Sequence, residues 1–323
     1  MDIKKTPAAY QGLNWQPRIE AHNVEIEGGV LWNSACVNSE FNKLRKITIF
    51  IPSPKTPTVE NVESVQHLEK INFQKLSIEL NNLRTIFEQL GVKTYLISPV
   101  RNRYFSPRLH YNLFYTRDLF FMTPEGVIIS RMASKVRAGE EKPAAKTLTA
   151  LGIPILRTIG GTGTFEGADA LWLRKNLVII GIGNRTNKEG FLQIKNILKL
   201  QGVKCLGIQL PAGIQHLLGI LQIVDADLAL VRKSYIPMSA EICLRETGYE
   251  ILKLEESYEV RSRQSMNFVV VAPRKIVMIK NPITKNLYNN FGLEVIGEIS
   301  ADELLKGAGG IGCATGILER EMV

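Results

Sequence analysis

Apolar and polar positions along the chain recur in a fixed order. Five times an amphipathic, helix-like segment stops at a glycine and gives way to a short apolar run: Leu90-Gly91-Val92, Leu151-Gly152-Ile153, Gln201-Gly202-Val203, Thr247-Gly248-Tyr249 and Phe291-Gly292-Leu293. Glycine is favoured just past a helix end because it enters the left-handed conformation without steric cost, so each occurrence predicts helix, stop, strand. Before most of these helices stand two apolar runs joined by a few turn residues. Leu119 to Met122 precedes Val127 to Ile129, Leu171 to Leu173 precedes Leu177 to Ile180, Leu221 to Val224 precedes Leu228 to Val231, and Phe268 to Val271 precedes Ile276 to Met278. Such spacings predict hairpins. The first unit is less regular, with Ile47 to Ile51 as its clear strand and a long polar stretch from Pro54 to Glu63 before its helix.

The stops recur roughly every fifty residues, the mark of a repeat architecture, and predict five copies of one β-β-α-β unit. A single unit of this kind cannot cover its own sheet, whereas five closed into a ring can, leaving a central channel where loops from all units converge. The expected fold class is therefore α/β, as a ring with five-fold pseudosymmetry. A doubly wound parallel sheet would not set a hairpin before each helix. Residues 1–40 are read as an N-terminal extension and 41–323 as a single domain.

Composition narrows the setting. The 45 % hydrophobic content of 323 residues is ample for a sizeable core. The four cysteines are far apart and form no CxxC, which fits a reduced cytoplasmic protein better than a disulfide framework or a zinc site. No apolar leader or membrane-length run appears, so no membrane partner is expected. The net charge of +9 is scattered among acids, which argues against nucleic acid and suits attraction of carboxylate-bearing metabolites.

Polar residues that break the apolar pattern gather at the starts of four units. They are Asn112-Leu-Phe-Tyr-Thr-Arg-Asp118, Phe165-Glu166-Gly-Ala-Asp169, Gln215-His216-Leu217-Leu218-Gly219, and the glycine-rich loop Gly307-Ala-Gly-Gly-Ile-Gly-Cys313-Ala-Thr. Carboxylates can grip a planar cation, a thiolate can attack its central carbon, and an imidazole can move protons between leaving group and water. Neither a metal nor a cofactor is expected, since the residues are spread over four segments without His-x-x-x-His spacing. Each member has a bland alternative: His216 as a core side chain, Asp118 and Glu166 as caps, and Asp169 as an orienter of its turn. Gly160-Gly161-Thr162-Gly163-Thr164 lacks the spacing of a phosphate loop and reads as an approach loop.

Taken together these segments resemble the guanidino-group-modifying superfamily with the five-fold α/β propeller (pentein) fold, which includes arginine deiminase, dimethylarginine dimethylaminohydrolase and the amidinotransferases. The resemblance runs from about Phe41 to Arg320. It implies that Asp118 and Glu166 hold a substrate guanidinium, that Glu166 also orients His216, and that Cys313 is the nucleophile. It further implies that Asn112, Arg137 and Arg185 bind the amino acid end of the substrate, with Asp169, part of the Glu166 motif, also among the substrate-binding residues. The implied activity is hydrolysis of free arginine or a derivative through a covalent thiouronium, releasing ammonia or an alkylamine and a ureido product, without cofactor. An amidinotransferase, a dihydrolase giving ornithine, and a non-catalytic ribosome-binding relative are the alternatives. The sequence leaves a homo-oligomer open.

Two positions depart from the deiminase pattern. Ala168 replaces a glycine, a small change. Leu218 replaces a second guanidinium-binding aspartate, and an apolar side chain beside the guanidinium would tolerate an N-alkyl group, so N-methylated arginine is an expected substrate alongside arginine.

Overall fold

The computed structural model describes residues 5–99 and 110–322. Its strands, in chain order, are Leu44–Ile49 (β1), Lys93–Leu96 (β2), Phe120–Thr123 (β3), Gly126–Ile129 (β4), Ile155–Thr158 (β5), Ala170–Arg174 (β6), Leu177–Ile182 (β7) and Lys204–Gln209 (β8). They continue with Leu221–Ile223 (β9), Leu228–Arg232 (β10), Glu250–Leu254 (β11), Val269–Ala272 (β12), Lys275–Ile279 (β13), Glu294–Ile299 (β14) and Gly316–Arg320 (β15). They make five three-stranded sheets: β15-β1-β2, β3-β4-β5, β6-β7-β8, β9-β10-β11 and β12-β13-β14.

Within each sheet the first strand pairs antiparallel with the central one, which pairs parallel with the third. The parallel step is made across a helix: Phe73–Gln89, Glu141–Ala150, Lys188–Leu200, Met238–Glu246 or Pro282–Asn290. This is the β-β-α-β unit read from the sequence, and the fold is the five-bladed α/β propeller. Gly91, Gly152, Gly202, Gly248 and Gly292, the five helix stops, all take positive φ between 71° and 84°.

The irregularity of the first unit has a physical cause. Its antiparallel partner strand comes from the far end of the chain, where β15 sets Ile317 opposite Ile47 and Gly316 opposite Thr48. No hairpin precedes β1 because ring closure supplies that strand. Strands β3 and β4 are buried throughout, whereas β5 is largely exposed. That gradient is expected of sheets whose inner strands face neighbouring blades and whose rims face water. Residues 35–40, at the end of the expected extension, are buried, and Glu40 reaches the core to accept a hydrogen bond from the Trp172 N–H (3.2 Å). Among the described residues no helix is long and apolar enough to cross a membrane.

Neighbouring blades meet backbone to backbone just ahead of their inner strands. A Cβ at Gly167 would stand 2.1 Å from the Phe120 carbonyl oxygen and 2.4 Å from that of Arg117. Gly167→Ala is therefore expected to destabilise the protein by about 3 kcal/mol or more, since neither obstacle is a side chain that can swing away. Urea unfolding checks this, and an unchanged midpoint would refute the contact.

Candidate active site

The first strand of each blade follows a tight turn or loop, and these segments pack on one another. Short helical turns Thr116–Leu119, Gly167–Asp169 and Leu217–Gly219 lead into β3, β6 and β9. The glycine-rich loop leads into β15, and Asn267 lies just before β12. Together they place Asp118, His216 and Cys313 on a cavity of about 330 Å³, also lined by Gln66, Asn112, Tyr115, Arg137, Arg185 and Gln215. Glu166 stands directly behind, fully buried, with its Oε2 2.7 Å from His216 Nε2.

The charges form a tight, nearly closed set. Arg137 donates through Nη1 to Asp118 Oδ2 (2.6 Å) and through Nε to Glu140 Oε2 (2.8 Å), and its Nη1 is 3.7 Å from Glu166 Oε2. Glu166 Oε1 accepts from the Ala133 N–H (3.2 Å), with Arg185 Nη1 at 3.5 Å. Two polar atoms are left over. Asp118 Oδ1 is buried without a hydrogen-bond partner, 4.0 Å from His216 Nδ1, and Arg185 Nη1 is likewise buried and unpartnered.

Cys313 is held from two sides by one residue. Its backbone N–H donates to Asn267 Oδ1 (3.0 Å), and Asn267 Nδ2 donates to its Sγ (3.0 Å). The Arg117 N–H donates to the Cys313 carbonyl oxygen (2.9 Å), tying the thiol's loop to the turn that carries Asp118. Beneath the loop the Tyr115 hydroxyl accepts from the Gly309 N–H (2.9 Å) and donates to the Leu304 carbonyl oxygen (2.7 Å). A Cβ at Gly309 would stand 2.4 Å from the Tyr115 ring, so this glycine allows the approach.

These surroundings set the protonation states. Burial, reinforced by the negative charge of Asp118, pushes the Cys313 thiol up to about 11, against the pull of Asn267 and Arg137. Burial alone would favour a neutral His216, but Asp118, Glu166 and Asp169 outweigh it and raise the imidazole above its ordinary range. Glu166 is the converse. Its burial penalty is overcome by the His216 hydrogen bond and by the charges of His216, Arg137 and Arg185, which lower it below the usual carboxylate range. At neutral pH the site thus holds a thiol beside an imidazolium.

Several residues expected to meet a ligand are committed elsewhere. Asp169 is fully buried and does not line the cavity; its oxygens accept from Thr186 Oγ1 (2.6 Å) and the Leu217 N–H (3.0 Å), which fixes the turn beside His216. Asn112 lines the cavity, but its amide donates to the Val65 carbonyl oxygen (2.8 Å) and its Oδ1 is 3.1 Å from His67 Nε2. Arg137 is enclosed by carboxylates, so in this conformation it shapes Asp118 and is not free for an external anion. Leu218, expected beside the guanidinium, instead lines a different cavity with Glu40, Arg117 and Arg320.

Asp118, Glu166 and His216 also offer three potential metal-ligand atoms within 4.8 Å of one another. Two guanidinium groups already lie against these carboxylates and His216 Nε2 points at Glu166, so the donor set fits an organic cation better than a metal ion. Asn267, Glu140, Gln66 and Gln215 were not singled out by sequence. Asn267 could have been, because it occupies in the fifth unit the place that Asp118, Glu166 and His216 occupy in theirs.

The arginine deiminase family model matches residues 96–257. The arginine deiminase of Borreliella afzelii is 23% identical over 290 residues, covering 75% of this chain and 67% of that protein. The chain thus spans about two thirds of the length of that relative. Among solved structures, dimethylarginine dimethylaminohydrolase from Pseudomonas aeruginosa, a cysteine-to-serine mutant complexed with citrulline, aligns with a TM-score of 0.67 and 20% identity over 85% of this chain and 100% of that one. SxtG, an amidinotransferase from Microseira wollei in the saxitoxin biosynthetic pathway, aligns with a TM-score of 0.73 and 15% identity over 90% of this chain and 98% of that one. Both likenesses are of fold.

The raised thiol predicts a distinctive pH dependence. For a group three units above the pH, roughly one molecule in 10³ is ionised, so alkylation of Cys313 by neutral iodoacetamide should be slow at pH 8 and still accelerating at pH 10. A plateau near pH 8 would show the thiol to be unshifted. Asn267→Ala, which removes a hydrogen bond to sulfur, should slow the reaction about tenfold further.

Proposed function

Because the chain belongs to the arginine deiminase family, within the guanidino-group-modifying (pentein) superfamily, we propose that it hydrolyses the guanidinium group of free arginine or a close derivative through a covalent cysteine intermediate. The observation that carries this reading is the pair of buried atoms in one site that lie within ion-pair range of a neighbour but make no hydrogen bond: an acceptor on Asp118 and a donor on Arg185. Unpaired buried groups are costly, and more so when charged. A ligand with cationic N–H groups and a carboxylate relieves both, and a guanidino amino acid carries both.

In this reading the guanidinium binds Asp118 Oδ1 beside Cys313, while Arg137 keeps the other Asp118 oxygen occupied. The arriving cation offsets the carboxylate charge that holds the thiol up, so the thiolate forms where its target lies, its proton passing to solvent and returning when the C–S bond breaks. Sulfur adds to the guanidinium carbon, and His216, already an imidazolium, protonates the departing nitrogen as the C–N bond breaks. The neutral imidazole then takes a proton from water, whose oxygen adds to the same carbon. Collapse breaks the C–S bond and releases a ureido product. Glu166 stabilises the imidazolium and fixes its ring, and Asp169 holds the turn from behind. Arg185 selects for the ligand carboxylate. With Leu218 in another cavity, the ground for expecting N-methylated arginine falls away, and unmodified arginine is the first substrate to test.

Incubation with arginine, N-methylarginines and agmatine, with product identification, decides among the family's reactions. Citrulline and ammonia from arginine are expected. A guanidinylated acceptor would indicate transfer, ornithine a second hydrolysis, and no turnover of any of the three would overturn the reading. Cys313→Ala should lower kcat/KM at least about 10³-fold, and Asp118→Asn about 10²-fold. Loss of the carboxylate from the ligand, as in agmatine, should raise KM for the wild type but have little effect in Arg185→Gln.

A further inference from the structure

A second cavity, of about 280 Å³, lies beyond Gly312, one residue from Cys313, and is lined by Glu40, Arg117, Leu218, Gln222, Phe268 and Arg320 among others. Its charges do not balance. Arg117 and Arg320 are both buried, with one carboxylate, Glu40, between them and the core. Glu40 is fully committed: Oε2 accepts from Arg117 Nη2 (2.9 Å) and Oε1 from the Trp172 N–H (3.2 Å). Arg320 has no ion-pair partner among the described residues. Its Nη1 donates to the neutral Asn42 carbonyl oxygen (2.6 Å), and its Nε is buried with no partner.

Gln222 brings no charge to the cavity, and its amide nitrogen donates to the Met266 carbonyl oxygen (3.0 Å) and the Leu218 carbonyl oxygen (3.3 Å). The apolar wall of Leu218, Phe268, Val269, Val270 and Ile317 offers no charge. An arginine does not shed its proton in a protein. The cavity therefore carries one positive charge in excess, a buried N–H aimed at no acceptor, and walls that favour a poorly hydrated counter-ion. A carboxylate was not placed there by the chain, although the same ring of turns satisfies almost every other buried charge.

We propose that this second cavity is a binding site for a small monovalent anion, a halide, nitrate or short carboxylate, held by the Arg320 guanidinium in the positive field of Arg117 and Arg320. One negative charge restores neutrality, and an excess of a single positive charge favours a monovalent anion over phosphate. The site is separate from the candidate active site and does not depend on the function proposed for it.

Two measurements on the full-length protein test this. Crystals soaked in sodium bromide should show an anomalous peak in the cavity beside the Arg320 guanidinium; absence of a peak there would overturn the proposal. In solution, at constant ionic strength made up with the bulky anion gluconate, exchange to chloride, nitrate or formate should raise Tm by about 2 °C per tenfold rise in anion once the site fills. Chloride and nitrate acting alone would assign a halide-type site, and formate acting best would assign a carboxylate site. Arg320→Met, which removes the excess charge while keeping bulk, should fold and lose the anion dependence. A wild type indifferent to all three anions, or an equal shift in Arg320→Met, would refute the assignment.

Discussion

Ring closure is the constraint on which the rest of the structure depends. Strand β15 must cross the whole sequence to lie beside β1, and only then does the first blade have its inner strand. The same pairing draws the glycine-rich loop against the turn at Thr116, where the Arg117 N–H meets the Cys313 carbonyl oxygen. The thiol and the carboxylate that would face one substrate are thus brought together by the longest-range contact in the fold. Such contacts carry a large loop-closure entropy and tend to form late. It follows that the site should assemble only when the ring does.

The chemistry of the site comes from how its buried charges are paired off. Arg137 faces Glu140 and Asp118, and His216 faces Glu166. Each pairing is needed because an isolated buried ion would be far more costly than the pair. The set closes except at Asp118 Oδ1 and Arg185 Nη1, and these two exceptions define the ligand better than any single catalytic residue does. They also explain why a thiol pushed to about 11 suits a nucleophile. A thiolate formed at rest would be exposed to oxidants and alkylators, whereas one formed under a bound cation is confined to its target.

Much of the fold and part of the site were legible in the sequence, for physical reasons that differ. Glycine stops and hairpin spacing are local signals, so the five units could be counted from them. Asp118, Glu166, His216 and Cys313 stood out because titratable side chains interrupt apolar runs at equivalent places. The source of the strand beside β1 was not legible, since β15 and β1 share no local signal. Nor was the direction of Leu218: alignment with a family motif gives the identity of a position, but the backbone of the Leu217–Gly219 turn decides which cavity its side chain enters. Arg137 and Asp169 were read as ligand contacts for the same reason. Residue type showed that they belong near the site, and only geometry showed that Arg137 faces carboxylates and Asp169 faces Thr186 and the Leu217 N–H. Asn267 was missed because an uncharged amide does not break an apolar pattern as sharply as an ion, although the repeat itself marks its place.

The two cavities sharpen what the glycine-rich loop does. Gly312 and Cys313 are consecutive, yet Cys313 lines the cavity of Asp118 and Arg185 and Gly312 the cavity of Arg117 and Arg320. A loop between two cavities that hold buried charge feels a field across it, and that field changes when either cavity takes up an ion. With the second cavity empty, the excess charge of Arg320 acts through a low-dielectric wall to favour a negative sulfur. With an anion there, that help is removed, and the thiol leans more heavily on the cation in its own cavity. Nucleophile ionisation would then depend on the substrate more strictly when the second site is filled, which ties the two sites through electrostatics alone, with no movement of the loop between them.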